Sequence, residues 1–173
     1  MPISCTSCRG GNSRKATALQ FKAYAALSPR TNIQLQASAS KASSSFTAHS
    51  WVAADLLEDA LATWSSGTPT RITVPSGYTK ARITLAPSWA YNSTSGRQCY
   101  VLPNGSGSAI ITEDARPALA EGASGTISPW LMGLVGGTTY FEVFFAQTSG
   151  GALNLTGGAG LVTATKVMFE WAQ

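Results

Sequence analysis

The segment Thr139–Gln147, TYFEVFFAQ, is the most strand-prone stretch of the chain. Successive residues of a strand point to opposite faces, so Phe141, Val143 and Phe145 share one face. The other face carries Tyr140, Glu142, Phe144 and Ala146. A strand that is apolar on both faces is buried either inside a sandwich or by a neighbouring chain. The segment therefore predicts a β-sandwich. It leaves open whether its second face is buried within the same chain or by a neighbouring chain.

Short alternating segments recur along the chain at roughly ten-residue spacing, separated by Gly, Pro, Asn and Ser. The strongest turn signal between them is Pro103-Asn104-Gly105. Neither an alternation of strands with helices nor an internal repeat is present. We therefore expect an all-β antiparallel fold, either a sandwich or a jelly roll. The predicted strands are 33–37, 71–75, 81–86, 97–102, 109–112, 127–134, 139–147, 152–155 and 166–171.

Two stretches lack the alternating pattern. Asp55–Trp64, DLLEDALATW, is compatible with a turn or two of helix. Its flanks lack firm caps, so we interpret it as an irregular crossing. Glu113–Gly125 contains Pro117 and is predicted to be a long loop.

The composition indicates a folded protein rather than a disordered one. The 173 residues are 44% hydrophobic and only 12% charged, whereas disordered chains show the reverse balance. No apolar run approaches the length of a membrane span, and the first 15 residues lack the apolar core of a signal peptide. We therefore expect no membrane partner and synthesis in a cytoplasm.

The positive charge is concentrated at the beginning of the chain. Residues 1–54 carry six of the twelve basic residues and no carboxylate, because the first acidic residue is Asp55. Residues 1–30 are therefore predicted to be a basic arm that docks on an acidic surface. With few aromatic residues interleaved, the arm is a poor match for nucleic acid. The predicted anchoring residues are Arg9, Arg14, Lys15, Leu19, Phe21, Lys22 and Tyr24.

A series of motifs between residues 30 and 173 resembles a known group of proteins. In order, they are PTRITVPSG (69–77), KARITL (80–85), WAYNS (89–93), PNG (103–105), YFEVFFAQTSGGALNL (140–155) and FEW (169–171). Together they resemble structural proteins of bacteriophage particles that carry a jelly-roll domain of the complement/tumour-necrosis-factor type. Such proteins occur as capsid decorations, head fibres and tail-fibre tips. The sequence departs from the pattern at Gly136-Gly137, where many relatives have a Gly-Asp pair, so no metal is expected there.

The resemblance implies a trimeric jelly roll over residues 31–173, packed around an apolar axis. The residues expected at the trimer interface or in the core are Trp89, Tyr140, Phe141, Phe144, Phe145, Phe169 and Trp171. The expected function is that of a non-enzymatic capsid decoration or cement protein, located in the virion and bound to the major capsid protein or another virion protein. The alternative is a receptor-binding fibre tip that recognises a host surface glycan or surface protein through loops 92–96, 104–108 and 113–125.

Residues with catalytic or metal-binding potential are sparse. Cys5 and Cys8 form a single CxxC, which without a second pair is a poor zinc site, and a metal or inter-chain disulfide role stays open. His49 is the sole histidine and has no nucleophile motif around it. We therefore expect neither a cofactor nor a catalytic site.

Overall fold

Antiparallel β-strands account for nearly all secondary structure in the residues described, which confirms the predicted all-β class. The computed structural model describes residues 28–93, 96–115, 122–123 and 125–173. Within these ranges helical structure is limited to a 3-10 turn, Ala53–Asp55. In chain order the strands are β1 (Arg30–Gln34), β2 (Ala39–Lys41), β3 (Thr47–Ala48), β4 (Leu56–Asp59), β5 (Arg71–Thr73), β6 (Lys80–Ala86), β7 (Ser88–Trp89), β8 (Arg97–Pro103), β9 (Ile111–Ala115), β10 (Gly122–Ala123), β11 (Thr126–Ile127), β12 (Tyr140–Gln147), β13 (Leu153–Leu155) and β14 (Lys166–Ala172).

The strands form two larger sheets and one small sheet in a sandwich-like arrangement. The first sheet has the order β11-β6-β14-β1-β4. The second has the order β3-β12-β8-β9, and β5 also pairs with β12. The small sheet has the order β10-β7-β13-β2. Neighbouring strands are often far apart in sequence, as when β1 pairs with β14.

The long strands of the first sheet bury every second residue, as the alternation in the sequence predicts. In β6 the buried positions are Ala81, Ile83 and Leu85. In β14 they are Val167, Phe169 and Trp171. The intervening residues lie on the opposite face and are only partly buried. One face of this sheet is thus committed to the core.

Aromatic rings join the two large sheets across the core. Phe141 of the second sheet stacks on Phe169 of the first, with ring centroids 5.8 Å apart. It also stacks on Trp171 at 6.4 Å. The Trp171 indole N–H donates to the Thr31 hydroxyl at 3.1 Å, so its polar end is satisfied inside the core.

The interpretation of Asp55–Trp64 as an irregular crossing was wrong for part of the segment. Residues 56–59 form β4, an edge strand that pairs with β1. The register shifts where Asn32 faces Glu58 and Ile33 faces Leu56, which leaves Leu57 as an extra residue. Such a bulge breaks the two-residue period of a strand, so sequence alternation cannot detect it.

The prediction of one long loop over Glu113–Gly125 was also wrong at both ends. The backbone of β9 extends to Ala115 and pairs with β8. Gly122 and Ala123 form β10, which pairs with β7. These pairings use backbone hydrogen bonds, so they require no pattern of apolar side chains.

The Pro103-Asn104-Gly105 signal marks a tight turn at the end of β8. Asn104 has φ 51° and Gly105 has φ 67°, the two consecutive positive values that a type I′ turn requires. The Ser106 amide donates to the Pro103 carbonyl at 3.2 Å and closes the turn. The sequence therefore predicted the position of this turn correctly.

Close backbone approach explains the first glycine of the Gly136-Gly137 pair. A Cβ atom at Gly136 would lie 2.6 Å from the carbonyl oxygen of Pro75. The Gly137 amide donates to the Val74 carbonyl at 2.8 Å, which holds the two segments together. Packing against residues 74–76 therefore requires glycine at position 136.

A buried carboxylate connects the end of β1 to the 3-10 turn. Asp55 is 4% exposed. One of its oxygens accepts from the Gln36 amide at 2.9 Å, and the other accepts from the Val52 amide at 3.0 Å. Both amides would lose their acceptor without this side chain.

We predict that Asp55→Ala lowers the free energy of unfolding by about 3 kcal/mol, because two charge-assisted hydrogen bonds are lost in a buried setting. The matched control is Glu58→Ala, three residues away, whose partly exposed carboxylate is 3.5 Å from Arg30. Its loss is expected to stay below about 1 kcal/mol. Urea denaturation of both variants measures the difference, and equal losses would contradict the assignment.

Candidate functional site

Five of the seven aromatic residues predicted for the trimer interface or core lie inside the sandwich of a single chain. Each is at most 2% exposed, and their ring contacts are with other core residues of the same chain. They therefore present no surface to a neighbouring subunit. These five are Trp89, Phe141, Phe145, Phe169 and Trp171.

The other two, Tyr140 and Phe144, lie on the outer face of the second sheet, where side chains of the same chain cover them. Phe144 is 9% exposed because Phe46 stacks on it, with centroids 4.7 Å apart and the planes 15° from parallel. Tyr100 meets Phe46 edge-on at 5.2 Å. We call Phe46, Tyr100 and Phe144 the outer aromatic cluster.

Tyr140 lies four residues before Phe144 on β12, on the same face, and is covered by a charged side chain. The Arg71 guanidinium carbon is 4.2 Å from the centre of the Tyr140 ring, a cation–π distance. Arg71 also lies 3.8 Å from a Glu142 oxygen, and the Thr70 hydroxyl donates to the same oxygen at 2.6 Å. This end of the outer face is therefore polar and internally paired.

Sequence analysis missed Phe46, the exposed member of the outer aromatic cluster. It lies in a Ser- and Thr-rich stretch without a clear period. The pairing of β3 with β12, in which Ala48 faces Phe144, brings Phe46 onto that ring. The only local signal was a large aromatic residue in an otherwise polar segment.

A second surface is formed by residues 127–135, which we call the edge ribbon. The ribbon follows β6: the Ser128 amide donates to the Ile83 carbonyl at 2.9 Å, and the Leu131 amide donates to the Ala81 carbonyl at 2.7 Å. Leu131 and Leu134 pack against the core, whereas four other apolar side chains are exposed by between 38% and 63%. These side chains are Ile127, Trp130, Met132 and Val135.

The outer face of the first sheet continues the edge ribbon. In the strand register, Thr84 lies between Ile127 and Met168. One pleat further along, Arg82 forms a 2.6 Å ion pair with Glu170, which raises the pKa of the Arg82 guanidinium. The Arg82 guanidinium carbon also lies 5.2 Å from the Trp130 ring centroid. The surface thus combines apolar side chains with one internally neutralised pair.

The sole histidine lines a cleft of about 290 Å³ near the end of β1. The His49 ring is 7% exposed and packs edge-on against Trp51 at 4.5 Å and Phe145 at 5.6 Å. Burial, reinforced by the positive charge of Lys41, lowers the pKa of His49 to about 4. The imidazole is therefore neutral at physiological pH and a weak base. The cleft is lined by Leu35, Gln36, Ala37, Ala39, His49, Ser50, Val52, Ala54 and Asp55.

Lys41 is itself partly buried beside this cluster. Burial lowers the pKa of its ammonium group, and the nearby Cys99 thiol acts in the opposite direction. The ammonium nitrogen lies 5.9 Å from the centre of the Phe145 ring. The described contacts of the His49 ring are thus aromatic rings and a neighbouring cation.

Within the residues that the structure describes, no three His, Cys, Asp or Glu side chains are grouped so that they could hold a metal ion. None of the helical segments in the same ranges has the length and apolar character needed to cross a bilayer.

The predicted anchoring residues of the arm lie outside the described residues, as do Cys5 and Cys8. The anchoring set comprises Arg9, Arg14, Lys15, Leu19, Phe21, Lys22 and Tyr24. Their role stays a prediction from charge and composition.

Neither a protein-family model nor a curated protein sequence matches this chain. The features of the chain that bear on its function are therefore its two surfaces, its strand order and its charge distribution.

We predict a pH-dependent loss of stability that His49 causes. Because folding depresses the pKa of His49 from about 6.5 to about 4, the unfolded chain binds a proton more readily than the folded one. The stability that the neutral His49 contributes is fully present above about pH 6.5. As the pH falls toward about 4, the free energy of unfolding decreases by about 3 kcal/mol.

Urea denaturation across this pH range measures the effect against His49→Phe, in which the carboxylates titrate as before. As the pH falls, the wild type should lose more free energy of unfolding than His49→Phe. Parallel profiles of the two proteins would show that His49 titrates normally in the folded state.

Proposed function

We propose that this chain is a structural protein of a bacteriophage particle, specifically a capsid decoration protein. It forms a trimeric jelly roll on the virion, assembled in the host cytoplasm, and an N-terminal basic arm binds the major capsid protein or another virion protein. Its role is mechanical: it couples neighbouring shell subunits and catalyses no reaction. Several contacts made at once by one rigid trimer strengthen each other through high effective concentration.

The strand order supports the jelly roll. The chain crosses repeatedly between the two large sheets: β5 belongs to the second, β6 to the first, β8 and β9 to the second, β11 to the first, β12 to the second and β14 to the first. Crossing of this kind is typical of Greek-key sandwiches, to which jelly rolls belong. The motif series at residues 69–171 supports the phage context.

The edge ribbon is the observation that carries the proposed assembly. Ile127, Met132 and Val135 are each at least 60% exposed although the chain has an ample core. Several exposed apolar side chains along one edge of a sheet favour a protein–protein interface. The adjoining Arg82–Glu170 ion pair carries no net charge, so two copies of this surface would not repel each other. A second copy of the same chain is therefore the natural partner, and three copies close a ring without open ends.

Tyr140 and Phe144, for which the sequence left a trimer role open, contribute less to this assembly. Phe46 already covers Phe144, and Arg71 already covers Tyr140. Burial against a second chain would remove little further apolar surface from water. The proposed trimer therefore places the edge ribbon, rather than the outer face of β12, between subunits.

The charge distribution supports the anchoring role of the arm. Six basic residues precede the first carboxylate, whereas the remaining 119 residues carry six basic and eight acidic groups. A cationic leader on a nearly neutral body favours docking on an acidic protein surface.

We predict that the purified chain is a trimer of about 54 kDa, three times the 18.0 kDa of one chain. Ile127→Glu combined with Met132→Glu should give a folded monomer, because both substitutions place a carboxylate in the proposed interface. Analytical ultracentrifugation measures the mass, and circular dichroism checks the fold.

The matched control for this experiment is Val162→Glu, at a side chain 84% exposed outside the ribbon, which should remain trimeric. A wild-type protein that stays monomeric at micromolar concentration would contradict the proposed assembly.

We further predict that phage producing the protein without residues 1–27, which precede β1, yield heads that lack it. Such heads should burst more readily on heating, while adsorption to the host stays normal. Particle composition, heat inactivation and adsorption rate are the measurements. Robust heads that fail to adsorb would favour the receptor-binding alternative.

A further inference from the structure

We propose that the outer aromatic cluster, with the cleft beside it, is a saccharide-binding site. The site lies on the outer face of the second sheet, away from the edge ribbon, and the inference does not depend on trimer formation. Its ligand class is a sugar whose apolar ring face stacks on Phe46 and whose polar substituent enters the cleft.

Phe46 provides the stacking platform. One face of its ring packs on Phe144 almost in parallel, and Tyr100 supports its edge, yet 52% of the residue remains exposed. The face opposite Phe144 is therefore open to a ligand. Because two rings hold Phe46 in place, binding costs little conformational entropy.

The adjoining cleft supplies the polar contacts. It has a volume of about 120 Å³ and is lined by Gly96, Gln98, Ala146, Gln147 and Thr148. A space of that size holds a few water molecules, so it suits one substituent of a sugar rather than a whole ring.

The platform and the cleft are continuous. Gln98 and Tyr100 are two residues apart on β8, about 7 Å along the strand, and point to the same face. The Tyr100 hydroxyl donates to the Gln98 side-chain oxygen, which aims the amide group. The side-chain nitrogen of Gln98, which lines the cleft, is the group that would donate to a sugar hydroxyl.

The rest of the cleft wall is fixed before any ligand binds. The Gln147 side-chain nitrogen donates to the Lys41 carbonyl at 2.9 Å and to the Gly151 carbonyl at 2.7 Å. The Thr148 hydroxyl accepts from the Gly96 amide at 3.2 Å. A preorganised wall beside an exposed ring matches the chemistry of a sugar, which presents both C–H faces and hydroxyls.

The experiment is titration of the full-length protein with oligosaccharides of glucose, of galactose and of N-acetylglucosamine, followed by calorimetry. We expect saturable binding of at least one of the three. Phe46→Ala should weaken it at least tenfold, Phe46→Trp should retain it, and Gln98→Ala should weaken it while leaving the stacking contribution. The control is Tyr91→Ala, at an aromatic residue 57% exposed outside the cluster.

The inference is overturned if none of the three sugar series binds, or if Phe46→Ala binds as tightly as the wild type. It is also overturned if Phe46→Ala abolishes only incorporation into particles, because a protein would then be the partner of this surface. Sedimentation separates the two proposals: a Phe46→Ala trimer that no longer binds sugar leaves the proposed assembly intact, and a wild-type monomer that binds sugar supports this site alone.

Discussion

The structure depends on aromatic packing between its two large sheets. Phe141 reaches from β12 to Phe169 and Trp171 on β14, whose rings stack on each other 5.6 Å apart. All three are fully buried, and each is worth roughly 1.5–3 kcal/mol or more to the fold. Because these rings set the distance and register of the sheets, they also decide which residues of each strand face outward.

The two candidate surfaces follow from this division of the strands. On the second sheet, the outward residues Phe144 of β12 and Tyr100 of β8 belong to the outer aromatic cluster. Its third member, Phe46, lies in the segment just before β3. On the first sheet, the outward face is extended by the edge ribbon along β6. One surface presents a single ring beside a polar cleft, and the other presents several exposed aliphatic side chains. Because their chemistries differ, we propose different partners for them, a sugar for the first and another copy of the chain for the second.

Sequence reasoning succeeded where side chains alternate and failed where backbone pairing alone defines a strand. The periods in 81–86 and 166–171 predicted β6 and β14, and the Asn104-Gly105 pair marked its turn. β4 escaped detection because a bulge at Leu57 disrupts its alternation. β9 was predicted to end at Thr112, whereas its backbone pairs with β8 as far as Ala115. In both, hydrogen bonds to a distant strand determine a structure that local residue types do not encode.

The sequence by itself determined the all-β class, the two apolar faces of β12 and the concentration of positive charge before Asp55, because periodicity and charge are local properties. Only the tertiary structure decided what covers each face. It placed Phe145 in the core with His49 and Trp51, covered Phe144 with Phe46, and left Ile127 exposed. A residue's exposure depends on strands far away in the chain, and strand pairing is a non-local property that no single segment carries.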